Sequence, residues 1–183
     1  MPHPRPWKTL DFEVLEKCRV FEVGRKRVRS PRTGDEHFFY TIGAGDWVNV
    51  VPVTSDDQIV MVRQYRHGCE EITLEIPGGM VDPGENHAEA AARELLEEAG
   101  YRAREVSPLG VVNPNPALFA NRCYTFLARD VERVAEIRND GGTEETVVEL
   151  VPRAELHDRL RAGDIDHALV VAALLWFELE WKD

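Results

Sequence analysis

The stretch 76–101, IPGGMVDPGENHAEAAARELLEEAGY, leaves the chain little conformational choice. Its first ten residues hold three glycines and two prolines, which no regular helix or central strand tolerates, so they form a shaped loop. The remainder is filled with alanine and leucine and reads as a helix. Asn86 is placed to cap its start, with Glu89 three residues on as the capping-box partner, and Gly100 sits where a left-handed stop is needed. Within that helix Glu94, Glu97 and Glu98 fall three or four residues apart or side by side, so their carboxylates crowd one side. Like charges at this spacing cost about 0.2–0.5 kcal/mol per pair, and Arg93 relieves part of it through its i+4 partner Glu97. Two readings compete: a solvated acidic surface, or a holder of divalent cations that serves a phosphate-bearing ligand.

Composition narrows the second reading. The chain has 183 residues, 33 acidic against 22 basic, for a formal net charge of -11. A surface of that sign repels nucleic-acid phosphates, and no basic run with interleaved aromatics reverses it locally, so no nucleic-acid partner is expected. Hydrophobic residues make up 43%, enough for a real core in one domain with a small extension. Cys18, Cys69 and Cys123 are odd in number and lack CxxC spacing, which argues against a disulfide framework or a zinc site. The first residues, MPHPRPWKTLDF, contain no apolar core of a secretory signal, and HALVVAALLWFEL at 167–179 is too short to span a bilayer. A cytoplasmic protein without a membrane partner is expected.

Alternation and β-formers predict strands at 12–23, 26–30 and 37–42, then a hairpin of 47–53 and 59–66 around a TSDDQ turn. Further strands are predicted at 71–75, 105–112, 122–128 and 146–150, and helices at 152–161 and 165–181. This order predicts an α+β fold, a mixed β-sheet with helices on both faces, preceded by an N-terminal β extension. The expected division is 1–45 for the extension and 46–183 for the main domain.

Gly79, Glu85, Arg93, Glu94, Leu95, Glu97, Glu98, Gly100 and Tyr101 stand at the spacing GX5EX7REUXEEXGU, where U is apolar. This resembles the Nudix box at every fixed position, with Tyr101 a tolerated variant at the last, and the match runs unbroken from 79 to 101. The resemblance implies a Nudix-type α/β/α sandwich and a hydrolase of nucleoside diphosphates linked to a second group. It implies that Glu94, Glu97 and Glu98 bind Mg2+, with Mn2+ as the alternative, and that the Gly79 carbonyl is a further ligand. Glu94, Glu98 and Arg93 then belong to the catalytic group, and Glu85 and Arg93 orient the metal-binding glutamates.

Substrate choice is carried outside the box. The segment VRQYRHG ahead of EITLEIPGG resembles the ADP-ribose and nucleotide-sugar hydrolase branch. Arg66 or Arg63 would grip diphosphate oxygens with a guanidinium fork. Strand alternation turns them to opposite faces, and Arg66, at the strand end, is favoured. Glu75 adjoins the same site. Pro116, fifteen residues after Tyr101, resembles a marker of the ADP-ribose pyrophosphatase subgroup. The acidic stretch NDGGTEETVVELVP resembles the late loop that supplies a general base, for which Glu144 is preferred and Glu145 is second. The extension resembles strands that make a homodimer and help bind the base. Trp7, Phe39, Tyr40 and Trp47 are the stacking candidates, against the alternative that they are core.

The expected reaction is therefore Mg2+-dependent hydrolysis of ADP-ribose, or a related nucleoside diphosphate sugar, to a nucleoside monophosphate and a sugar phosphate. The alternatives are the same box acting on a GDP-mannose-type sugar, a nucleoside triphosphate or a capped RNA end, or a binding module that senses ADP-ribose without cleaving it. The presence of all three box glutamates weighs against the last.

Overall fold

The protein was studied as a computed structural model, which describes residues 3–137 and 145–180. The chain separates into two compact units, one of residues 1–45 with 113–121, the other of 46–112 with 122–183.

The larger unit is built on a seven-stranded sheet. Strands β4 (Trp47–Val53), β5 (Gln58–Arg66), β6 (Glu71–Glu75), β7 (Gly78–Met80), β9 (Val106–Val112), β10 (Cys123–Arg129) and β12 (Thr146–Pro152) contribute to it. Its main order is β12-β5-β4-β10-β9, with β6 added to β5 and β7 to β4. β4 and β10 run parallel and the other pairs antiparallel, so the sheet is mixed. The expected hairpin of β4 and β5 is opened: the two strands pair only at Val53↔Ile59. Beyond that point β6 takes the edge of β5 and β7 the edge of β4, so the expected loop starts as a short strand, with Gly78 and Gly79 in β7 and the Ile76-Pro77 link anchored on both sides. A two-stranded ribbon joins β8 (Tyr101–Arg102) to β11 (Glu132–Arg133).

Helices cover both faces, and the period of two along β4 and β5 decides which residue meets which helix. Val48, Val50, Val60 and Val62 pack under α1 (His87–Ala99), against its Ala90, Ala91, Leu95 and Ala99. Val51, Val53, Ile59 and Met61 pack on the other face, against Leu156 of α2 (Leu156–Ala162) and Val170, Ala173, Leu174 and Phe177 of α3 (Ala168–Glu180). This is the α/β/α sandwich that the sequence predicts. Leu95 is wholly buried, and its truncation to alanine would cost about 2–5 kcal/mol and loosen α1 on the sheet.

The ends of α1 follow their caps. The Asn86 side chain accepts from the Ala88 N–H at 2.8 Å, and Gly100 adopts φ 73° in the left-handed region. The reciprocal bond expected from Glu89 is not present among the described residues. The predicted helix 152–161 begins instead as a 3-10 turn at Arg153–Glu155, because Pro152 ends β12 directly before it. The predicted 165–181 begins three residues late, at Ala168, and position 181 lies outside the described residues. No helix among the described residues is long and apolar enough to cross a membrane.

The smaller unit is a three-stranded antiparallel sheet, β1 (Lys8–Lys17), β2 (Glu22–Arg29) and β3 (Glu36–Gly43). The single strand expected over 12–23 is two strands, because the Cys18 N–H closes a tight turn onto the Phe21 carbonyl at 2.8 Å. Residues 113–121 join this unit through an Ile42↔Phe119 bridge and through Asn121 Nδ2, which donates to the Gly45 carbonyl at 2.9 Å. Phe12, Phe38, Phe39 and Tyr40 are exposed on it.

Candidate active site

The loop of 76–86 and the first turns of α1 fold around Arg93. Its Nε and Nη2 donate to the two oxygens of Glu85 at 2.9 and 3.0 Å. Nη1 donates to Glu94 at 2.8 Å and Glu97 at 3.0 Å, and Nη2 also reaches the Met80 carbonyl at 3.0 Å. One planar guanidinium thus joins the loop to the helix and holds three carboxylates. Hydrogen bonding to Glu85 is the largest influence on Arg93 and raises its pKa, and the same bond lowers that of Glu85. Glu85 is further fixed by the Asp82 N–H at 3.0 Å.

Glu98 has a different setting. It is buried, and its Oε2 accepts from the Gly78 N–H at 2.9 Å. Its own carbonyl accepts from the buried Thr146 hydroxyl at 2.8 Å, which ties this turn of α1 to β12. Both glycines stand at close approaches, and Gly78 is required by one with backbone. A Cβ on Gly79 would collide with the Glu94 carboxylate, and one on Gly78 with the β4 backbone at Val48 and Asn49. The box glycine therefore leaves space for a carboxylate to lie against backbone.

Glu94, Glu97 and Glu98 are hard oxygen donors on adjoining turns of one helix, a donor set that suits Mg2+ or Mn2+. No three acidic, histidine or cysteine side chains among the described residues are grouped as a closed metal cage. The carboxylates are instead drawn to protein donors, Arg93 for Glu94 and Glu97 and the Gly78 N–H for Glu98. The donor chemistry, with the Glu94 carboxylate lying against the Gly79 backbone, fits a divalent cation.

The other predicted residues divide. Arg66 points its fork at Glu75, Nε and Nη2 each at 2.7 Å from a carboxylate oxygen, and the Thr73 hydroxyl donates to the same carboxylate at 2.6 Å. Burial alone would raise the Glu75 pKa, but the Arg66 and Thr73 bonds outweigh it and hold the carboxyl below its usual range. Arg63 is engaged elsewhere: it pairs with Glu149 at 2.6 Å and Asp164 at 3.3 Å. Trp47 opens β4, in register with Met80 and Cys123. Trp7 lies in the smaller unit, edge-on to His37 and Phe39 at 5.5 and 5.6 Å, and Pro116 is exposed in the same unit. Glu145 is exposed just before β12, and Glu144 lies outside the described residues. Sequence reasoning missed the Gly78 N–H bond to Glu98 and the Met80 carbonyl under Arg93. The double glycine was the available signal for the first, and backbone partners leave none for the second.

The NUDIX domain pattern matches residues 45–174, most of the chain. The chain belongs to the Nudix family. This Nudix hydrolase is 32% identical over 135 residues to the ADP compounds hydrolase NudE of Escherichia coli (strain K12), covering 73% of this chain and 70% of that one. It is 31% identical over 136 residues to the ADP-ribose pyrophosphatase of Bacillus subtilis (strain 168), covering 69% and 74%. It is 29% identical over 176 residues to the ADP-ribose pyrophosphatase of Mycobacterium tuberculosis (strain ATCC 25618 / H37Rv), covering 92% and 82%. Among solved structures, an ADP compounds hydrolase superposes with a TM-score of 0.84 at 25% identity, over 98% of this chain and 96% of that one.

Proposed function

We propose that this Nudix hydrolase is an Mg2+-dependent pyrophosphatase that cleaves ADP-ribose, or a closely related ADP compound, to AMP and a sugar phosphate. The observation that carries the reading is the set of three box glutamates held beside the Gly78-Gly79 backbone by Arg93 and the Gly78 N–H. The substrate class rests on the similarity to ADP compounds hydrolase and ADP-ribose pyrophosphatases.

In this reading Glu94, Glu97 and Glu98 are the metal ligands, with the Gly79 carbonyl beside them. A Mg2+ ion held there would neutralise charge on the diphosphate and polarise the phosphoryl group whose phosphorus the water attacks. Arg93 holds Glu94 and Glu97 in orientation, and Glu85 in turn fixes the guanidinium. The Gly78 N–H keeps the Glu98 carboxylate aimed at the loop. Glu144, or Glu145 as the second candidate, takes the proton of the attacking water. Arg66 reaches the substrate diphosphate by exchanging its fork from Glu75, whose second donor, Thr73, keeps the buried carboxylate partnered. Arg63, already paired with Glu149 and Asp164, is the weaker candidate for that contact.

The exposed aromatics of β1 and β3 support a homodimer in which a second copy covers the smaller unit, with Trp7 available to stack on a base. Free Cys18 and Cys69 on the surface fit a reducing, cytoplasmic setting.

A product assay over ADP-ribose, ADP-glucose, GDP-mannose, NADH and diadenosine polyphosphates tests the assignment. AMP and ribose 5-phosphate from ADP-ribose in Mg2+ is the expected result. Turnover confined to nucleoside triphosphates would reject the substrate class.

A further inference from the structure

Asp46 lies outside the box, more than thirty residues before Gly79 in the chain, yet three segments of the larger unit meet on it. Its carbonyl accepts from the Val81 N–H at 2.9 Å, in the loop just past Gly79. Its Oδ1 accepts from the Arg122 N–H at 2.9 Å, where β10 begins. Its Oδ2 lies 3.4 Å from Nε2 of His87, the first residue of α1. The His87 ring is itself stacked on Tyr124 of β10, with centroids 3.9 Å apart.

These contacts continue into the site. Next to Asp46, the Trp47 N–H donates to the Arg122 carbonyl at 2.8 Å, and Trp47 stands opposite Met80. The Met80 carbonyl accepts from Arg93, which holds Glu85, Glu94 and Glu97. Asp46 therefore acts at both margins of the cradle. Its main-chain carbonyl, through Val81, fixes the loop that carries Gly79 and Met80, and its side chain, through His87 and the Arg122 N–H, fixes the start of the helix that carries the glutamates against β10. Half-exposed and with both oxygens engaged, the carboxylate crosslinks through geometry and contributes no core packing.

We infer that the Asp46 side chain positions the metal cradle: it sets the start of α1 against β10, beside the loop its carbonyl holds, and thereby the affinity of the site for a divalent cation. The inference rests on the metal assignment proposed above. It adds a residue that touches none of the reacting groups and that the box spacing does not mark.

The test is Mn2+ binding to the full chain, read by calorimetry or by electron paramagnetic resonance, without substrate. Removing a metal ligand's own outer partner costs about 10–100-fold in affinity; Asp46 stands one contact further out, so D46A is expected to weaken Mn2+ binding by roughly tenfold. D46N keeps an oxygen for the Arg122 N–H and should restore binding to within about threefold of wild type. The control is D57A. It breaks the Asp57–Arg153 pair, 3.0 Å, at the far hairpin and removes a side chain at φ 61°, so it lowers the melting temperature without touching the cradle. In kinetics, D46A should raise the Mg2+ concentration for half-maximal rate with the substrate KM nearly unchanged. Mn2+ affinity in D46A equal to wild type, or a loss that D57A matches at equal destabilisation, would overturn the inference. Should D46A fail to fold, H87F decides: it keeps the stack on Tyr124 and drops the Asp46 contact, so several-fold weaker binding supports the inference and wild-type binding overturns it. Absence of Mn2+ binding by the wild-type protein would overturn the metal assignment and this inference together.

Discussion

Two charged clusters in the larger unit follow opposite rules. At the cradle, Glu85, Glu94 and Glu97 gather around one guanidinium, that of Arg93, while Glu98, on the same helix, is held by the Gly78 N–H. Elsewhere, Arg63 and Arg159 face Glu149 and Asp164: Arg63 binds both acids, and Arg159 binds both in turn. Two cations meet two anions in a closed ring that joins β5, β12 and α2. The second cluster pairs each close acid with two arginines, and only Glu155, at 3.9 Å from Arg159, adds negative charge at its rim. The first carries more negative charge than its arginine can balance, on a helix face where repulsion opposes folding. The proposed divalent cation would complete that excess, so charge balance distinguishes the proposed site from a brace.

The largest effect that would sharpen this contrast is at the box glutamates. E98Q, E97Q and E94Q should each lower Mg2+-dependent kcat by at least about a hundredfold, since a metal-polarised phosphoryl group is stabilised by several kcal/mol. Steady-state rates at saturating Mg2+ measure this, and their melting temperatures should hold or rise as repulsion is relieved. R93A comes next. It releases five hydrogen bonds and should cost about 10–100-fold in kcat and in metal affinity. R93K should recover little, because an ammonium cannot span Glu85, Glu94 and Glu97 together.

The balanced ring should answer differently. R63A should lower stability by about 1 kcal/mol or less, a small value because its partners are partly solvated. Its metal affinity should stay at the wild-type value, read by denaturant unfolding alongside a metal titration. A tenfold loss of metal affinity in R63A would erase the contrast.

The smallest effect concerns pH. The Glu75 pKa is lowered in the folded protein by Arg66 and Thr73. Its contribution to stability is therefore full above the unfolded glutamate value, about 4.3, and is lost as pH falls through the lower folded value. E75Q should flatten that part of the acid stability curve and leave stability above pH 6 without further pH dependence from this group.

The sequence was most legible where local rules act alone. Asn86, Gly100 and the alanine-rich interior delimit α1 within a residue, and the box spacing brings Glu94, Glu97, Glu98, Glu85 and Arg93 to one place. Legibility failed where partners are remote or are backbone. The opening of the β4–β5 hairpin depends on β6 and β7 competing for its edges, which no turn residue announces. The split of 12–23 into two strands turns on one Cys18–Phe21 bond inside an otherwise strand-like run. Alternation correctly separated Arg63 from Arg66, but not their partners, because Glu149 and Asp164 come from distant segments. Asp46 is an ordinary acid before a strand until Val81, Arg122 and His87 close on it.

The central claim is that an overcharged glutamate cradle turns over an ADP compound with Mg2+. Hydrolysis of ADP-ribose by wild type and E98Q, followed as AMP release with and without Mg2+, tests it most directly. The account predicts Mg2+-dependent AMP from the wild type and a loss of at least about a hundredfold in E98Q. E98Q activity within a few-fold of wild type would contradict it.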